Sequence, residues 1–104
     1  MYRQRIHVFP KTIDAWNEAV ALFDQWNKLA VSKGWVEGTY WMQTVGDGDE
    51  IIGEFDYADL ASFQREDDES VKDPEAVALF RKFDALDKVR RSYSELLETA
   101  LGVG

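Results

Sequence analysis

Apolar residues recur along this chain at two different spacings. From Trp16 to Ala30 they fall every third or fourth position, as Trp16, Ala19, Val20, Phe23, Trp26 and Ala30, with Leu22 and Leu29 widening the stripe. That spacing marks one face of a long helix. Thr12 is placed to cap its start, with Asp14 in the first turn against the positive end of the helix dipole. Lys33 sits at the other end, Gly34 suits a left-handed C-cap, and Trp35 lies just beyond, where it can pack back. From Tyr2 to Phe9 the period is two instead. Gln4, Ile6 and Val8 share one side, Arg3, Arg5, His7 and Phe9 the other, and Pro10, which has no amide hydrogen, ends the strand.

Between Trp35 and Tyr57 the chain reads as a hairpin. Gly46-Asp47-Gly48-Asp49 supplies residues that accept positive φ, and both flanks are rich in Trp, Tyr, Val, Ile, Thr and Phe. In the second arm Ile51, Gly53, Phe55 and Tyr57 alternate with Ile52, Glu54 and Asp56. In the first, Val36, Gly38, Tyr40 and Met42 alternate with Trp35, Glu37, Thr39, Trp41 and Val45. Neither face of the first arm is polar, whereas a half-solvated antiparallel strand shows one polar side. Both faces therefore need covering, and a second copy of the chain is the economical cover.

Asp59 precedes a further helix anchored by Leu60 and Phe63. The run Arg65-Glu66-Asp67-Asp68-Glu69 reads as a solvated acidic surface. Asp73-Pro74-Glu75 then restarts the helix, an N-cap followed by proline at the first helical position. Val77, Phe80 and Phe83 form its buried stripe, beside Leu79 and Leu86. The tail fits two periods. Leu86, Val89, Tyr93, Leu96, Leu97 and Ala100 suit a helix, while Val89, Arg91, Tyr93 and Glu95 alternate as in a strand. A strand near 88–97 completes a four-stranded sheet, so the expected order is strand, helix, strand, strand, helix, strand.

Composition narrows the partners. A chain of 104 residues, 45% hydrophobic and 31% charged, has the size and balance of one globular domain, 1–104. The formal net charge of −8 disfavours nucleic acid and anionic membrane surfaces. Without cysteine there is no disulfide, thiolate nucleophile or thiolate metal site. No stretch of about 18 apolar residues occurs and the first ten residues hold no apolar leader, so a cytoplasmic location is the default expectation.

The strand and helix order resembles the ferredoxin-like dimeric α/β barrels, a superfamily that includes the antibiotic-biosynthesis monooxygenase-like and NIPSNAP-like proteins. The resemblance spans nearly the whole chain. It rests on Ile6-His7-Val8-Phe9, the hairpin, Gly53-Glu54-Phe55-Asp56-Tyr57 leading into Asp59-Leu60 and Phe63, Asp73-Pro74-Glu75, and the closing Arg91-Ser92-Tyr93-Ser94-Glu95-Leu96. It implies an α+β fold, a four-stranded antiparallel sheet with helices on one face, whose other face meets its mate in a homodimer around an enclosed space. It also implies that the first strand lies between the third and fourth. Arg3, Arg5 and His7 would then stand beside Glu54 and Asp56 on the sheet-to-sheet side, with Trp35 and Trp41, as the lining of a small-molecule site.

These residues admit several chemistries. His7, the single histidine, is the candidate general base or haem ligand, against a plainer role pairing with Glu54 or Asp56 across strands. Haem-degrading members of the superfamily use a helical histidine, and neither helical region here has one. Arg3 and Arg5 are the cations placed to hold a substrate anion, or to neutralise the acidic strand opposite. Asp47, Asp49 and Glu50 lack calcium-loop spacing, and turn chemistry explains them. No phosphate loop, nucleophile elbow or zinc pattern is present. The expectation is a small-molecule-binding homodimer without cofactor or metal. The alternatives are a cofactor-independent monooxygenase or isomerase acting on a small aromatic or polyketide-like substrate through His7, or a purely structural dimer.

Overall fold

A computed structural model describes residues 1–42, 50–86 and 93–100. Its elements, in chain order, are β1 (Tyr2–Val8), α1 (Ile13–Lys33), β2 (Thr39–Met42), β3 (Ile51–Tyr57), α2 (Leu60–Lys72), α3 (Pro74–Leu86) and β4 (Tyr93–Glu98). The turn at 46–49, Val45, and Val89 and Arg91 of the closing segment lie outside the described residues.

The helix ends follow from local chemistry. Thr12 Oγ1 accepts the Ala15 N–H at 3.0 Å. At the far end Gly34 takes φ 74°, a left-handed value that suits a residue without Cβ. Gly34 N–H donates to Val31 O and Trp35 N–H to Ala30 O, at 3.3 and 2.9 Å. This pair of bonds turns Trp35 back onto the helix that precedes it. Asp59 caps α2 by accepting the Ser62 N–H at 2.7 Å. Asp73 accepts from Glu75 and Ala76 at 2.9 and 3.1 Å, and Pro74 opens α3, so the second helical region is broken in two as the Asp-Pro-Glu signal predicts.

The sheet order is β2-β3-β1-β4, with each neighbouring pair antiparallel. The tail is a strand, because the free edge of β1 takes it as a partner: Gln4 faces Leu96 and His7 faces Tyr93. β2 starts four residues later than the Trp35 boundary expected from composition. A Cβ at Gly38 would stand 2.7 Å from the Phe55 ring, so the chain enters β2 where only glycine clears that ring.

Helices cover one face. Val8, Ile51, Phe55 and Tyr57 are buried beneath them. α1 packs on α3 and contributes Ala15, Ala19, Leu22, Phe23, Leu29 and Ala30 to the core. Its buried stripe is rotated from the expected one: Val20 is exposed, while Trp16 and Trp26 pack at the margin. On α3 the buried residues are Ala76, Leu79 and Leu86, and Phe80 is 40% exposed. The acidic run of α2 also departs from expectation, since Glu66 is only 5% exposed.

Candidate functional site

The helix-free face of the sheet gathers charge. Pairing sets Arg3 opposite Asp56 and Arg5 opposite Glu54. Arg3 is bidentate to Asp56, through Nε at 2.7 Å and Nη2 at 3.1 Å, and Arg5 Nε reaches Glu54 at 2.8 Å. The hydrogen bond from Arg3 holds the Asp56 carboxyl below its ordinary range, and Asp56 in turn raises Arg3. His7 does not pair with Glu54 or Asp56, because the register sets Ile52 opposite it. Its two ring nitrogens instead meet Glu50 and Glu95, which bracket the ring from either side. The ring also stacks on Tyr93, centroids 4.1 Å apart and 9° between planes. Trp41 lies on this face, beside Ile52, and is 55% exposed.

Trp35 does not share that face. It is 8% exposed and belongs to the helix-side core, because the turn at Gly34 folds it under α1 before β2 begins. Of the seven expected site residues, six therefore lie together on the open face and Trp35 lies on the opposite side of the sheet.

The hollow that the described residues enclose is on the side of Trp35. It is a cavity of about 200 Å³ between the sheet and the helices. One wall is aromatic: Trp26 stacks on Trp35 at 5.9 Å and tilts against Phe80 at 5.1 Å. Deeper in, Phe23 contacts both Tyr40 and Phe83, at 4.2 and 4.7 Å. The floor is Ile6, Val8 and Phe55 of the sheet. The polar groups converge from Gln4, Tyr57 and the acidic helix: Tyr57 Oη donates to Gln4 Oε1 at 3.5 Å, and Glu66, Asp67 and Ser70 line the rim of α2. Burial pushes the Tyr57 hydroxyl above its ordinary value, and the nearby Glu66 and Asp67 charges add to the rise. Burial does the same to Tyr40.

Two carboxylates brace the cavity. Glu66 Oε1 accepts the Val36 N–H at 2.6 Å, and Glu69 Oε2 accepts the Trp35 indole N–H at 2.7 Å. Asn27 clamps the next residues, exchanging bonds of 2.9 and 2.8 Å with the Gly38 backbone and accepting the Tyr40 hydroxyl at 3.0 Å. Sequence reasoning missed this pocket, though a signal was present. Phe63, Glu66 and Ser70 share one helical phase, which puts Glu66 on the inward face of its helix. A second, shallower hollow of about 420 Å³ lies between Trp16 and Val20 of α1 and Trp41 and Met42 at the β2 edge. Among the described residues no group of three or more His, Cys, Asp or Glu side chains could hold a metal ion, and no helix is long and apolar enough to cross a membrane.

The sequence matches no family model and no curated protein. Its structure is similar to several solved ones. An uncharacterised NIPSNAP domain protein from Burkholderia xenovorans superposes with a TM-score of 0.77 at 14% identity, over 100% of this chain and 99% of that one. An antibiotic biosynthesis monooxygenase superposes with a TM-score of 0.73 at 10% identity, over 97% of this chain and 100% of that one. A NIPSNAP family protein from Agrobacterium tumefaciens gives 0.71 at 15% identity, over 93% and 90%. The strand order, the helices on one face and these superpositions together show that the chain has the ferredoxin-like α+β fold of the NIPSNAP and antibiotic biosynthesis monooxygenase structures.

Proposed function

We propose that this protein is a homodimer that binds a small organic molecule in the cavity between the sheet and helices of each subunit. The observation that carries the reading is the cavity itself, with room for a ligand, aromatic walls and a few polar groups at one rim, the usual form of a small-molecule site. It lies on the helix side of the sheet, apart from the space expected between the two sheets of a dimer. The open face serves dimerisation instead. Trp41, Tyr93 and Leu97 are exposed there, and the arginines between them are already paired with carboxylates of the same chain. A second copy can cover such a face without stranding a charge. The monooxygenase or isomerase reading has less support, because Arg3, Arg5 and His7 are each engaged by carboxylates of the same chain.

Native mass spectrometry tests the assembly, with a mass of twice 12.0 kDa expected and a monomer overturning the dimer. A titration of ¹⁵N-labelled protein with 2-phenylethanol tests the cavity. The indole N–H resonances of Trp26 and Trp35 should move, and if they stay fixed up to millimolar ligand the cavity is not a binding site.

A further inference from the structure

The charge around the cavity is of one sign. Glu66, Asp67 and Asp84 line it, and no lysine, arginine or histidine does so among the described residues. The ion pairs of the described residues lie elsewhere: on the open face, at Asp24 with Lys28, and at Lys33 with Asp73. Glu66 has one oxygen committed to the Val36 amide, and Asp67 and Asp84 stand exposed at the rim. Inside that acidic rim the walls are aromatic, from Trp26, Trp35, Phe80 and Phe83 among others. An anionic ligand would meet uncompensated repulsion here, and a neutral one would leave the carboxylates unused. A cation gains from both features, since aromatic rings attract positive charge and the carboxylates supply counter-charge at the rim.

We propose that the ligand of this cavity is an organic cation, an ammonium carried on an aromatic or aliphatic body, with the body against the tryptophans and the charge at the Glu66–Asp67–Asp84 rim. This rests on the cavity being the binding site. The net charge of −8 acts in the same direction by drawing cations toward the surface.

The test compares three probes of one size and three charges: phenethylammonium, 2-phenylethanol and phenylacetate, each followed by the Trp26 and Trp35 indole resonances. Phenethylammonium should bind about tenfold more tightly than the alcohol, with phenylacetate weakest, and the margin should shrink as salt is raised. The double variant Asp67→Asn with Asp84→Asn alters exposed side chains only and should bring cation and alcohol to similar affinity. Equal or tighter binding of the alcohol to the unaltered protein overturns the charge assignment while leaving the cavity as a site. A full cation preference in the double variant overturns the role of the rim. No response to any probe overturns both the assignment and the site.

Discussion

The backbone N–H of Val36 donates to Glu66 Oε1 at 2.6 Å, tying the segment that leaves α1 to the middle of α2 across one side of the cavity. Glu66 is 5% exposed and Val36 half-buried, so this bond is largely shielded from water. Replacing it by alanine leaves the half-buried Val36 amide without its acceptor and should cost about 1 kcal/mol, whereas Glu66→Gln retains an acceptor and should cost less. For a chain of this size each kcal/mol lowers the melting temperature by about 4–8 °C. Calorimetry on both variants checks this, and equal losses would show that the carboxylate charge matters more than the hydrogen bond.

His7 joins the outer strand to the sheet by a different route, through its ring stacked on Tyr93 and its bond to Glu95. His7→Phe keeps a ring for Tyr93 but loses both ring nitrogens and their contacts with Glu50 and Glu95. Amide exchange through Tyr93–Glu98 should accelerate by about tenfold, with α1 unchanged. Unaltered exchange in that strand would show that the main-chain ladder holds β4 alone.

Acid should weaken the fold. Asp56, Asp59 and Asp73 are all held below the ordinary carboxylate range, by the Arg3 hydrogen bond, the Ser62 amide and the Lys33 ammonium respectively. A group depressed in the folded state adds stability above its unfolded value of about 3.9 and loses it as pH falls through the folded value. Urea midpoints should therefore be level from neutral down to about pH 5 and drop below about pH 4. Asp73→Asn should make the drop shallower, and added salt should reduce its contribution because Lys33, its partner, is exposed.

A charge placed on the open face should separate the subunits. Trp41→Glu puts a carboxylate among Ile52 and the paired charges of Glu54, where a covering subunit could not solvate it. Light scattering should give 12.0 kDa in place of twice that mass, with the helical circular dichroism retained. A variant that stays dimeric would move the interface off this face.

Most of the architecture was legible because it is written in local chemistry. Thr12, Gly34, Asp59 and the Asp73-Pro74 pair act within a turn of where they stand, and the alternation of Arg3, Arg5 and His7 needs only the period of a strand. The site was harder to read because long-range packing decides it. Trp35 looks like a strand residue by its neighbours, yet the bond from its amide to Ala30 sends it to the other face. Glu66 looks solvated in an acidic run, but its phase with Phe63 and Ser70 turns it inward, where the Val36 amide awaits it. His7 met Glu50 and Glu95 rather than Glu54 because register, which composition does not set, put Ile52 opposite.

The placement of β1 between β3 and β4 has a kinetic consequence. Tyr2 is paired with Glu98, so one of the two ladders of this central strand joins opposite ends of the chain. During synthesis β1 emerges before β4, and until β4 leaves the ribosome one of its edges carries unpaired amides and carbonyls. Such an edge is open to strands of other nascent chains, and its closure across so long a loop is slow. A chain halted before Tyr93 would keep its helices and its β1–β3 ladder while exposing that edge, which makes the pairing of β4 the step that removes a template for aggregation.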